Sequence, residues 1–151
     1  MARLIEELKF FEPFTGKTYL GRFSGNTDTD ISQWETILNG QGVRSVHSVN
    51  EGEYGGETII YWDKTKKEIV AHYFTTAGFY TVGTMKIEGN KIVAVDELTG
   101  SATGITAVKS ETFLTEDGGF KVKAYYLRNG IWEDGHDVTY TVDNSKVPVF
   151  R

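Results

Sequence analysis

The chain has 151 residues, 39% hydrophobic and 25% charged, with no cysteine and a formal net charge of −5. That is enough chain for one packed core, and it excludes disulfides, thiolate nucleophiles and cysteine-based zinc sites. The 21 acidic against 16 basic residues leave no positive stripe for nucleic acid.

In chain order, residues 3–11 are the one helical stretch, with Leu4, Leu8 and Phe11 at i, i+4 and i+7 and Pro13 as the stop. From Thr15 onward the pattern changes to short β-rich runs near 16–24, 32–39, 43–50, 56–63, 68–76, 79–88, 91–98, 105–115, 119–128 and 136–143. Their spacing is that of sandwiches and barrels. Asn39-Gly40 and Asn129-Gly130 supply residues that accept positive φ, and Glu88–Lys91 and Glu116–Gly119 are short polar loops. Lys64, Lys66 and Lys67, the densest basic group, read as a polar hairpin turn.

Such short connections make neighbouring strands pair antiparallel. In 119–128, Phe120, Val122, Ala124 and Tyr126 share a face opposite Lys121 and Lys123; in 105–115, Val108, Ser110, Thr112 and Leu114 oppose Lys109 and Glu111. Aliphatics mixed with hydroxyls suit a cavity wall. A helix-grip fold needs a long C-terminal helix, and after Asp143 only eight residues follow, interrupted by Pro148. A sandwich is the competing architecture, but closure removes the exposed edges of so many short-looped strands. The expected fold is all-β: a single antiparallel up-and-down barrel of about eight to ten strands, residues 1–151, with residues 1–13 as N-terminal helix and lead-in.

Residues 8–23, Leu-Lys-Phe-Phe-Glu-Pro-Phe-Thr-Gly-Lys-Thr-Tyr-Leu-Gly-Arg-Phe, resemble the opening of lipocalin-like (calycin) domains, a short helix followed by a Gly-x-Trp-type first strand. Gly16-Lys17-Thr18-Tyr19 places Tyr one residue late. Gly55–Asp63 and Tyr73–Phe79 also resemble an uncharacterised bacterial lipocalin-like family. The resemblance implies the barrel and leaves the activity open, since such folds host unrelated functions.

Gly16-Lys17-Thr18 ends like a phosphate loop, but Phe11 stands where that loop needs glycine. Asn26-Thr27-Asp28-Thr29-Asp30 begins like a calcium loop, but Ile31 and Ile37 occupy its glycine and glutamate positions. His47, His72 and His136 lie on different expected strands; a metal site would require all three inward at one level, and no metal or other cofactor is expected. Glu57, Glu97 and Glu111 lie within or at the ends of strands. An inward Glu57 would need a partner such as Arg44, Arg128, His47 or a tyrosine hydroxyl.

The residues expected to line a pocket are Trp34, His47, Glu57, Tyr61, Tyr73, Thr75, Tyr126 and Trp132, with Trp132 in a turn-rich segment suited to closing the barrel mouth. The expected function is binding of a small, largely apolar molecule with a polar handle. The alternative is a barrel lyase or isomerase using Glu57, His47 and Tyr61; a second is an interaction domain without ligand. No stretch approaches the ~18 apolar residues of a membrane helix, and the N-terminus carries charges where a leader needs an apolar run. The expectation is a cytoplasmic monomer or homodimer without nucleic-acid or membrane partners.

Overall fold

The computed structural model describes residues 3–99 and 103–151; residues 1 and 2 of the expected lead-in lie outside them. Ten strands follow one another: β1 (Lys17–Phe23), β2 (Thr29–Ile37), β3 (Gly42–Val49), β4 (Tyr54–Asp63), β5 (Glu68–Thr75), β6 (Tyr80–Glu88), β7 (Lys91–Thr99), β8 (Ile105–Leu114), β9 (Phe120–Arg128) and β10 (Ile131–Val142). Each pairs antiparallel with the next, and β10 returns to pair with β1, so the sheet is a closed barrel. This is the all-β architecture expected, and it is consistent with a lipocalin-like fold. The helix expected over 3–11 is shorter and tighter, a 3-10 segment Glu6–Phe11. None of the helical segments among the described residues is long and apolar enough to cross a membrane.

Two departures from the expected strands matter. β2 begins three residues early, at Thr29, and β10 begins at Ile131 inside the segment expected as loop. Asn129 and Gly130 sit at φ 52° and 76°, the double positive φ of a type I′ hairpin. A bulge between Asp134 and Asp137 then resets the register with β9.

Position along the strands separates the inward-facing side chains into two halves. At the end reached by the N-terminal segment, Leu4, Leu8, Phe11 and Phe14 are buried against Tyr19, Val43, Ile60, Ile69, Phe120 and Tyr140. Phe120 is the hub, with ring centroids 4.9 Å from Phe14, 4.9 Å from Tyr19 and 4.5 Å from Tyr140. Such pairs contribute about 0.5–1.5 kcal/mol each beyond buried area. Burial raises the Tyr19 hydroxyl to about 12, and it donates to the Pro13 carbonyl at 3.3 Å. This end is a solid aromatic plug.

The C-terminal tail runs over the outside of the wall. Asn144 Oδ1 accepts the Thr18 N–H at 2.9 Å, Ser48 Oγ accepts the Val149 N–H at 3.0 Å, and Arg151 Nε donates to the Glu51 carbonyl at 2.8 Å. Thr18 and Ser48, on the outward parity, are buried beneath it.

Candidate functional site

The other half of the interior is polar. Asp30 on β2 and His47 on β3 both face inward, as their registers with Gly21 and Ser32 require. Asp30 is the most enclosed of these groups, its side chain 3% exposed. A buried carboxylate must be paired or hydrogen-bonded, and Asp30 is hydrogen-bonded at both oxygens. Its Oδ1 lies 2.9 Å from His47 Nδ1, and its Oδ2 accepts the Tyr140 hydroxyl at 2.5 Å.

The chain continues through His47. Its Nε2 lies 2.5 Å from the Tyr73 hydroxyl, which lies 2.9 Å from the Tyr54 hydroxyl. Chemistry orients these bonds. A neutral imidazole that donates Nδ1–H to a carboxylate must accept at Nε2, so Tyr73 donates to His47. Burial pushes the Tyr73 hydroxyl far up and Tyr54 up as well; both act as neutral phenols.

Two glycines make the chain geometrically possible. Tyr73 belongs to β5 and His47 to β3, so the ring must cross β4; it does so at Gly56, where a Cβ would lie 2.5 Å from Tyr73 Cε1. From the other side, Tyr140 of β10 crosses β1 at Gly21 to reach Asp30, and a Cβ there would lie 2.5 Å from its ring. Both approaches are too close for any side chain.

Across the same half, Tyr126 on β9 hydrogen-bonds His136 Nδ1, and His136 packs on Phe23 at 5.9 Å. His136 is reached by water, yet desolvation lowers its pKa. That combination fits a recess. His47, also inward, keeps 20% of its side chain exposed, so water enters this half of the barrel. Thr75 Oγ1 donates to the Phe79 carbonyl at 2.8 Å, and Tyr54 stacks on Phe79 at 6.4 Å.

The expected lining residues therefore divide. His47, Tyr73, Thr75 and Tyr126 come together in the open half. Trp34 also faces inward but belongs to the plug, stacked on Phe11 at 6.2 Å with its Nε1 donating to Ser32 Oγ at 2.9 Å. Glu57 and Tyr61, expected in the pocket, occupy the outward parity of β4 instead. Glu57 accepts from Arg44 Nε at 2.5 Å, and Arg44 also bonds Glu35 at 2.7 Å, so its partner is one the sequence offered, on the outer face. Glu57 and His47 lie on opposite sides of the sheet, and no Glu57–His47 pair forms. Tyr61 stacks on His72 at 5.7 Å in an outer row that continues through Phe74 and Tyr80. Trp132, expected at the barrel mouth, instead pairs with Leu127 on the outer face, 46% exposed, and does not close the mouth.

The three histidines do not converge, since His72 faces out; among the described residues no cluster of three or more metal-ligating side chains forms. The calcium-like run is dispersed: Asn26 Oδ1 accepts the Asp28 N–H, Asp28 accepts from Asn50, and Asp30 turns inward. Asp30, Tyr54, His136 and Tyr140 were not among the expected pocket residues. The chain matches no family model and no curated protein.

Proposed function

We propose that the protein binds a small molecule in the open half of its barrel, with the Tyr54–Tyr73–His47–Asp30 chain as the polar wall and Tyr126 and Phe79 as apolar surface. The observation that supports this is that the inward polar side chains gather at the end opposite the aromatic plug and remain in reach of water. A pre-ordered polar group beside aromatic walls is how ligand pockets combine affinity with orientation. Burying ~200 Å² of apolar ligand surface contributes about 5 kcal/mol before ordering costs, which makes micromolar affinity the expectation. The test is a thermal-shift screen across compound classes on wild type and Tyr73→Phe. Hits that lose their shift in the variant support the reading, and an absence of hits in every class removes it. The reading also takes the chain as a lipocalin-like protein, cytoplasmic, and monomer or homodimer; fractionation and light scattering check the last two.

A second reading, acid–base catalysis, is favoured by the carboxylate–imidazole–phenol order. A proton taken from a substrate by the Tyr73 oxygen is matched by transfer of Tyr73's own proton to His47 Nε2. The phenol stays neutral, and the imidazolium is held by Asp30. Such a relay suits a lyase or isomerase. His47→Gln should then lower turnover far more than it weakens ligand affinity; equal losses of binding and turnover would count against it.

A further inference from the structure

Among the described residues, three buried side-chain polar atoms have no hydrogen-bond partner: Thr81 Oγ1, Asp96 Oδ1 and Arg128 Nε. All three belong to inward positions of the open half. Thr81 on β6 stands opposite Tyr73, Asp96 on β7 stands between Gly83 and Val108, and Arg128 follows Tyr126 by two residues on β9. Thr81 is only 4% exposed. A buried polar atom left unpaired is costly, and its presence calls for a partner.

The geometry makes the Asp96 position specific. A Cβ at Gly83 would lie 1.8 Å from Asp96 Oδ1, so the carboxylate rests against β6 only because that residue is glycine. Thr81 lies near enough to moderate the Asp96 carboxyl, which burial pushes up to about 6, without an aligned hydrogen bond between them. At neutral pH the group is mostly carboxylate, and its Oδ1 is an acceptor without an aligned donor.

We propose that this wall holds a small organic ammonium, its N–H groups taken by Asp96 and Thr81 and its hydrocarbon set against Tyr54, Tyr73 and Tyr126. The proposal rests on the binding function above and names its ligand class. Charge decides between ligand types. The inward carboxylates are Asp30, Asp96 and Glu133; Asp30 is held by His47 and Tyr140, and Glu133 by Arg128 at 3.2 Å. Asp96 alone has an oxygen, Oδ1, with no hydrogen-bond partner. Among the described residues no lysine takes an inward position in this half: Lys86, Lys91, Lys109, Lys121 and Lys123 all fall on the outward parity. An anionic ligand would meet carboxylates, whereas an ammonium meets a free acceptor and the π-faces of tyrosines. Arg128 Nε is a donor at the rim and adds no acceptor.

The experiment uses 2-phenylethylamine, 2-phenylethanol and 3-phenylpropionate as probes of like shape and different charge. Binding to the full chain is followed by amide chemical shifts at Thr81 and Asp96 and by calorimetry. The amine is expected to bind about tenfold or more tighter than the alcohol, with Asp96→Asn abolishing that preference. Thr81→Val, which keeps the side-chain shape, should weaken amine binding several-fold in a folded protein and serves where Asp96→Asn is unstable. If the alcohol or the carboxylate binds as tightly as the amine at these residues, the ammonium assignment is wrong and the binding function stands. If no probe shifts any interior signal at millimolar concentration, both fall.

Discussion

His47 and Tyr73 stand on strands separated by a third, yet Nε2 and the hydroxyl are 2.5 Å apart because β4 presents Gly56 between them. Removing the Tyr73 hydroxyl leaves His47 without its acceptor bond and Tyr54 without its partner. Tyr73→Phe should therefore destabilise the fold by about 1–2 kcal/mol, read from urea denaturation. An unchanged midpoint would mean that the bond has no energetic weight.

Gly56→Ala tests the same contact sterically. The added Cβ would lie 2.3 Å from the Phe74 carbonyl oxygen and 2.5 Å from the Tyr73 ring, and a carbonyl in a paired strand cannot step aside. A loss of roughly 2 kcal/mol or more is expected, together with a changed near-ultraviolet circular dichroism signal as the tyrosine is displaced. Wild-type stability in this variant would contradict the crossing geometry.

Asp96 should make stability depend on pH in the reverse of the usual carboxylate sense. Its folded-state value, about 6, lies above the ordinary 3.8 because of burial, so the fold binds this proton more tightly than the unfolded chain does. The contribution is full below about pH 4 and is lost as pH rises to about 6, a change on the order of 2–3 kcal/mol. Asp96→Asn should remove that slope from a series of melts between pH 4 and pH 7; an identical slope in the two proteins would rule it out.

Thr81→Val exchanges an unpartnered buried hydroxyl for a methyl of the same shape. The free protein should gain about 1 kcal/mol, seen as a higher melting temperature. A loss of stability would mean that the hydroxyl is already satisfied.

The outer face supplies a control. Glu57→Gln weakens an exposed ion pair with Arg44, and Tyr61→Phe leaves the Tyr61–His72 stack in place. Each should cost less than about 1 kcal/mol and leave ligand affinity unchanged in calorimetry. A large fall in affinity would return these residues to the site.

Turn chemistry and alternation made the strand order readable from sequence, and β8 and β9 face as their patterns imply. The site was less legible, for a reason visible in β4 and β5. There the inward residues of the open half are Tyr54, Gly56, Thr58, Tyr73 and Thr75, none of them aliphatic, while Ile59 and Phe74 face out. Over that stretch the usual rule points the wrong way, because Ile59 shares the outward parity with Glu57 and Tyr61 and carries both inward with it. Asp30 was hidden differently: Asn26–Asp30 is dense in turn-forming residues, which obscured the start of β2 and hence the parity of its first acid. Trp132 was hidden by flanking turn residues that form a tight hairpin and a bulge rather than a loop.

The seam between β1 and β10 joins segments more than a hundred residues apart, a contact of high loop-closure cost. During synthesis, nine strands leave the ribosome before the one that completes the ring, and until then β1 and β9 expose unpaired backbone to neighbouring chains. Tyr140 arrives on that last strand and supplies the Asp30 bond. The polar wall is therefore among the last parts of the molecule to be finished, and a nascent chain can complete it only after sealing its own aggregation-prone edges.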